Sequence, residues 1–157
     1  MKTLFHLMIA LAVVCAAAPA RSQEGHLELA EAVVAEFGGT EAVLTGIESS
    51  APMILEAFRT NIPDLTAEEG EQIMAYFMDE MRILMPRFVD DYAALIARHL
   101  TASELREMLD DPETTLDGRL TEVSPLINRD ANALGEAYGA EAMSNALPRI
   151  QELLANR

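Results

Sequence analysis

TAEEGEQIMAYFMDEMRILMPRFVDDYAALIARHL, residues 66–100, carries the pattern that decides the fold. Within it Met74, Phe77, Met78, Met81, Leu84, Met85, Phe88, Tyr92, Leu95 and Ile96 recur at steps of three and four. That spacing gathers side chains on one face of a helix. Glu71, Asp79, Glu80, Arg82, Arg87 and Asp90 fall mainly outside the stripe, on the side left for water. The opening Thr66-Ala67-Glu68-Glu69 has the form of a capping box, in which the threonine oxygen accepts an early amide and the glutamate reaches back to the cap's own amide. Unbroken from Thr66 to Leu100, this helix spans roughly 50 Å at ~1.5 Å per residue. Pro86 is expected to kink it rather than turn the chain, because the apolar phase continues across the proline.

Working outward, a first helix is expected from about Leu27 to Phe37, ending at Gly38-Gly39. Thr40 then caps a second helix that passes through Met53 to Phe58 and stops before Pro63. Gly46, Ser49, Ser50 and Pro52 weaken its middle, so a break is expected near Ala51. Downstream, Thr101-Ala102-Ser103-Glu104 is a second capping box, opening a short helix with Leu105, Met108 and Leu109 that Asp110-Asp111-Pro112 ends. Gly118 marks a turn, and a closing helical region carries Val123, Ile127, Ala131, Leu134, Tyr138, Leu147, Ile150 and Leu154. Pro125 fits its first turn and Pro148 bends its last. Strand alternation is scarce. The expected architecture is an all-α bundle of about five to seven helices, several of them proline-kinked.

The N-terminus reads as a cleavable secretory signal: a basic start at Lys2, an apolar run from Leu4 to Ala17, and small residues at Ala18-Pro19-Ala20. The run is shorter than the ~20 residues that span a bilayer, and no stop-transfer segment follows. Residues 1–20 are therefore expected to be a signal peptide and residues 21–157 a single all-helical domain, periplasmic or secreted, with no stable membrane anchoring after cleavage. Cys15, the one cysteine, lies inside the signal, with Val14 and Ala12 where a lipoprotein signal has a small residue and a leucine. Stability then has to come from packing rather than disulfides. Lys2 is also the one lysine, so its removal takes the formal charge from −15 to −16. That field repels nucleic acid and anionic lipid headgroups, and serves to keep the surface solvated.

The run Tyr92-Ala93-Ala94-Leu95-Ile96-Ala97-Arg98-His99-Leu100-Thr101-Ala102-Ser103-Glu104-Leu105, followed by Pro112, Gly118 and Pro125-Leu126, resembles the bacterial periplasmic family catalogued as "domain of unknown function 2059". In that family a tyrosine-bearing helix leads into a Thr-x-x-Glu-Leu helix start, then an aromatic Ser-Pro-x-Gly segment and a further proline before a closing helix. The likeness covers roughly Met81 to Leu126 and departs from the pattern where Leu109-Asp110-Asp111-Pro112 replaces the aromatic pair and serine. It implies an exported all-helical domain and carries over no catalytic residue.

Three constellations have the residue types for a binding role. Met74, Met78, Met81 and Met85 place thioethers, soft ligands suited to Cu(I), along one helical face, where methionine also serves as a core filler. Asp111, Glu113 and Asp117 offer oxygen ligands to Ca2+ around a turn, but Ser124 stands where a calcium loop needs its bidentate glutamate. Ala131, Gly135, Gly139, Ala142 and Ala146 form a small-residue stripe. Because glycine inside a helix costs ~1 kcal/mol relative to alanine, the stripe suggests close approach of another backbone, within the monomer or from a second copy. His26 and His99 lack paired ligand spacing, and His99 reads as a surface or cap residue. Asp90-Asp91 are adjacent on a helix and point apart, so they do not form a carboxylate pair for glycoside chemistry. No nucleophile elbow, zinc helix or phosphate loop is present, and no cofactor is implied. The pattern points first to a non-catalytic exported helical module that contacts another protein or itself. The alternative is a carrier of an apolar small molecule in a pocket between helices.

Overall fold

The computed structural model describes residues 25–37, 39–62 and 64–156, so the signal segment and Cys15 lie outside the described residues. Five α-helices make up almost all of it: α1 over 25–36, α2 Gly39–Asn61, α3 Ala67–His99, α4 Ala102–Asp110 and α5 Arg119–Ala155, with a 3₁₀ turn at Leu116–Gly118 before α5. No strand occurs among the described residues. The all-α expectation and the helix number are met.

α3 is the spine. Both capping boxes form as the sequence predicts: Thr66 accepts from the Glu69 amide at 3.3 Å while Glu69 accepts from the Thr66 amide at 2.8 Å. Thr101 and Glu104 repeat the exchange at the start of α4, at 3.3 and 2.6 Å. α5 runs antiparallel along one flank of α3, since Arg149 pairs with Asp79, Arg87 with Glu141 and His99 with Asp130. α2 lies antiparallel on another flank, where Glu48 reaches Arg82 and Leu55 lies against Gly70. The apolar stripe of α3 is thereby covered from both sides.

Three buried clusters follow the spine. At its N-terminal end Ile73 meets Ala146 and Ile150 of α5, with Phe58 and Ile62 packed alongside. In the middle the four methionines, Phe77, Leu84 and Phe88 meet Tyr138 and Ala142, with Val43, Ile47 and Ile54 of α2 against them. At the C-terminal end Ala93, Ile96 and Leu100 meet Ala30, Val33 and Val34 of α1, Leu105 of α4, Leu116 and Val123. Each fully buried side chain of this size contributes about 1.5–3 kcal/mol.

Three local expectations are corrected. α2 does not break at Ala51: Pro52 sits inside one continuous helix. The carbonyl that loses its donor there belongs to Glu48, an exposed residue where water serves instead, and the apolar face from Val43 to Leu55 holds the helix on α3. Thr40 is not the cap of α2, because the helix already starts at Gly39, which has φ +36°. Pro125 is not in the first turn of α5 but seven residues in, because α5 begins at Arg119 and Val123 is already fully buried. Gly118 makes that early start possible with φ 88°, a backbone state glycine adopts freely. Pro86 and Pro148 also stand inside single helices, α3 and α5.

Candidate functional site

Where α1, α4 and the N-terminal part of α5 meet the C-terminal half of α3, the packing leaves a half-open cavity of about 470 Å³. Phe88, Tyr92 and Ile96 form its floor, four residues apart and hence stacked along one face of α3. Val33 and Val34 of α1 and Val43 of α2 wall one side, Leu120, Ile127 and Ala131 of α5 the other, and Met108 of α4 and Leu100 the end. Phe37, 47% exposed, stands at the rim. His26 donates from Nε2 to the Leu100 carbonyl at 2.8 Å, tying the start of α1 to the end of α3 beside the cavity.

Valine, isoleucine and alanine explain why the space persists. β-Branched side chains are stiff at χ1 and short, so they line a gap without reaching across it, and Ala131 contributes only a methyl group. Among the described residues the wall has no carboxylate, histidine or cation. Apart from the Met108 thioether, its single polar side-chain group is the Tyr92 hydroxyl, and burial pushes the pKa of that phenol up. The described lining presents mainly apolar surface.

Val43 and Phe88 also border a smaller groove of about 280 Å³ between α2 and α5, with Gly46, Gly135 and Gly139 on its sides. Phe88 is held between two tyrosines, stacked on Tyr92 at 6.1 Å and edge-on to Tyr138 at 5.3 Å. It separates the cavity from the groove.

The structure distributes the sequence-predicted residues among different tasks. Met74, Met78, Met81 and Met85 are all at most 8% exposed and pack among Phe77, Leu84 and Phe88. Eleven positions separate the first from the last, about 16 Å along the helix axis, so the four thioethers do not converge on one centre. Asp111, Glu113 and Asp117 are exposed around the α4–α5 connection, with Asp111 Oδ1 accepting from the Glu113 amide at 3.2 Å. Among the described residues no three His, Cys, Asp or Glu gather into a set able to hold a metal ion.

The small-residue stripe divides. Ala142 and Ala146 are fully buried in the core, while Ala131 lines the cavity. A Cβ added at Gly135 or Gly139 would meet nothing within 4 Å. Close backbone approach within the monomer is therefore not what those glycines serve, and α5 meets α3 through Tyr138, Ala142, Ala146 and Ile150 instead.

One polar cluster escapes sequence reasoning. Tyr138, buried on α5, donates its hydroxyl to Asp91 Oδ2 at 2.6 Å and accepts from Arg87 Nε at 3.0 Å. Arg87 also pairs with Glu141 and lies over the Tyr138 ring. Burial raises the Tyr138 pKa first, Asp91 adds to the rise and Arg87 opposes it. The available signal was Arg87 and Asp91 at i and i+4, on one side of α3. His99 is likewise more than a surface residue, since its Nε2 bonds Asp130 of α5 at 3.0 Å. No protein-family model matches the chain, and no curated protein or solved structure does either.

Proposed function

We propose that this chain is a non-catalytic, exported carrier of an apolar small molecule held between its helices. The observation that carries the reading is the cavity of about 470 Å³, in whose described lining Tyr92 is the one residue with a hydroxyl. Ligand pockets commonly measure ~300–1,000 Å³ and combine apolar walls with a few placed polar groups. Burying apolar ligand surface there gains about 25 cal/mol per Å² before the costs of association. The apolar run Leu4 to Ala17 followed by Ala18-Pro19-Ala20 supports export. The resemblance to the periplasmic family around Tyr92 to Leu105 is compatible with that location and assigns no activity.

The test is binding of a neutral apolar dye by wild type and by Ala131→Leu, together with native mass spectrometry of protein purified gently from the cell envelope. Leucine is a good helix former and fills the cavity from α5. Wild type should bind the dye and carry an apolar adduct, and Ala131→Leu should lose at least tenfold in affinity, about 1.4 kcal/mol, while remaining folded. Wild-type protein that neither binds the dye nor carries an adduct would sink the reading.

Exposed Met53 and Ile83, at 72% and 69%, favour a second reading as a protein-interaction module. Light scattering across a concentration series checks it: self-association that Met53→Gln and Ile83→Gln abolish supports it, and a monomer at all concentrations removes the homodimer.

A further inference from the structure

We propose that Tyr92 reads the polar end of the ligand, so that the molecule carried is a neutral amphiphile with one hydrogen-bond acceptor, such as an alcohol, ketone or ester. The inference rests on the carrier reading above and names the ligand class for the same cavity.

The protein has three tyrosines, and the other two are committed. Tyr76 accepts from the Gln72 amide at 2.9 Å. Tyr138 is held between Asp91 and Arg87. Tyr92 has no hydrogen-bond partner for its hydroxyl among the described residues, although it forms part of the cavity wall and is half-buried. Its ring is fixed by stacking on Phe88, so the hydroxyl is a positioned group rather than a wandering one. Burial alone raises its pKa, which keeps the phenol protonated and able to donate at neutral pH. Among the described residues no side-chain polar atom is both buried and unpartnered, so the Tyr92 hydroxyl keeps contact with solvent, and a ligand acceptor would take the place of water there.

The sign of the ligand's charge follows from the same wall. Among the described residues no arginine lines the cavity, and the whole chain carries a formal charge of −15. An ionised carboxylate or phosphate would lose its water there without gaining a counter-charge. A bare hydrocarbon would fill the apolar space without using the hydroxyl. An uncharged acceptor head on an apolar body satisfies both demands.

The experiment displaces a cavity-bound neutral naphthylamine dye with decane, decanol, decanone and decanoate at neutral pH, using wild type and Tyr92→Phe. One neutral hydrogen bond predicts that wild type binds decanol and decanone about threefold to tenfold more tightly than decane. Decanoate should be weaker than decanol. In Tyr92→Phe the ratio of decanol to decane should fall to about one, with decane affinity unchanged. A variant that keeps the wild-type ratio, or decanoate as the tightest ligand, would overturn the role of Tyr92. Should Tyr92→Phe fail to fold, the wild-type series still decides, because equal affinity for decane and decanol overturns it. Binding of decane without any polar preference removes only the Tyr92 inference, whereas wild-type protein that takes up neither the dye nor any of the four removes the carrier reading and the inference with it.

Discussion

The middle of α3 and its C-terminal half are built from the same helix and an equally apolar stripe, yet the middle is bordered by smaller grooves of about 280 and 360 Å³ and the C-terminal half by a cavity of about 470 Å³. Around Met74 to Met85 unbranched thioether side chains pack into the space between α2, α3 and α5, with Met85 only 1% exposed, while Met74, Met78 and Met81 border the grooves that remain. Around Tyr92 and Ile96 the facing residues are Val33, Val34, Ile127 and Ala131, and about 470 Å³ is left. Methionine has three rotatable bonds and bends into irregular gaps, whereas valine and isoleucine hold one shape. Side-chain stiffness, more than hydrophobicity, thus separates core from cavity here. A helix pattern that reports only apolar positions cannot distinguish the two.

The largest expected effect breaks that contrast from the better-filled side. Met85→Ala removes a fully buried side chain and should cost about 2–5 kcal/mol in urea unfolding, through lost burial and the void left behind. Ile127→Ala enlarges a space that already exists and is half open, so it should cost roughly 1–2 kcal/mol. Equal losses at the two positions would mean that the cavity end is packed as tightly as the middle. Filling sharpens the same comparison from the other side: Ala131→Leu should raise stability by about 0.5–2 kcal/mol while reducing dye binding. The paired readout matters, because a loss of both would report misfolding rather than occlusion.

A smaller effect separates local helix signals from packing. Thr101→Ala removes the cap at the start of α4 and should cost about 1 kcal/mol. Its partner Glu104 adds a pH signature: the Thr101 amide, then the Thr101 hydroxyl and Arg119, hold its carboxyl below the usual glutamate range. The folded pKa is lower than the unfolded one, so this stabilisation is present above the ordinary glutamate pKa and fades as pH falls through the lowered folded value. The stability difference between wild type and Glu104→Ala should therefore shrink in acid, followed by circular dichroism from neutral to strongly acidic pH. A difference that stays constant would show that the cap acts through packing alone.

Those caps were legible because each depends on four consecutive residues, as were the stripe of α3 and the ends of α4. The readings at Pro52 and Pro125 failed for a physical reason. Pro52 and Pro125 remove a hydrogen bond whose orphan carbonyl, on Glu48 or Thr121, belongs to an exposed residue, so continuous packing on α3 outweighs the local loss. Of the candidate site, the sequence exposes Tyr92 and Ile127 as apolar-phase residues and Ala131 as a small one. It does not reveal that residues from all five helices leave a gap between them, nor that the hydroxyl of Tyr92 lacks the partner that those of Tyr76 and Tyr138 possess. Both facts are properties of the assembled helices. The small-residue stripe was visible, but at Gly135 and Gly139 no backbone of the same chain comes close.

The smallest expected effect lies in the turn that delivers α5 to the cavity wall. Leu116, Asp117 and Gly118 take φ values of 50°, 51° and 88°, three left-handed residues in succession. For a non-glycine residue that state is unfavourable, although aspartate tolerates it better than most. Leu116 is held there by burial against α1, α3 and α4, so the apolar contact fixes the turn and Asp117 follows it. Asp117→Gly removes the steric cost at an exposed position while adding freedom to the unfolded chain, and the two partly cancel. A net gain of about 0.5 kcal/mol is expected, with dye binding unchanged because Asp117 does not line the cavity. A loss of stability with weaker dye binding would instead make Asp117 part of what holds Leu120 and Ile127 in the wall, and would extend the soft region of the molecule from the cavity into the turn.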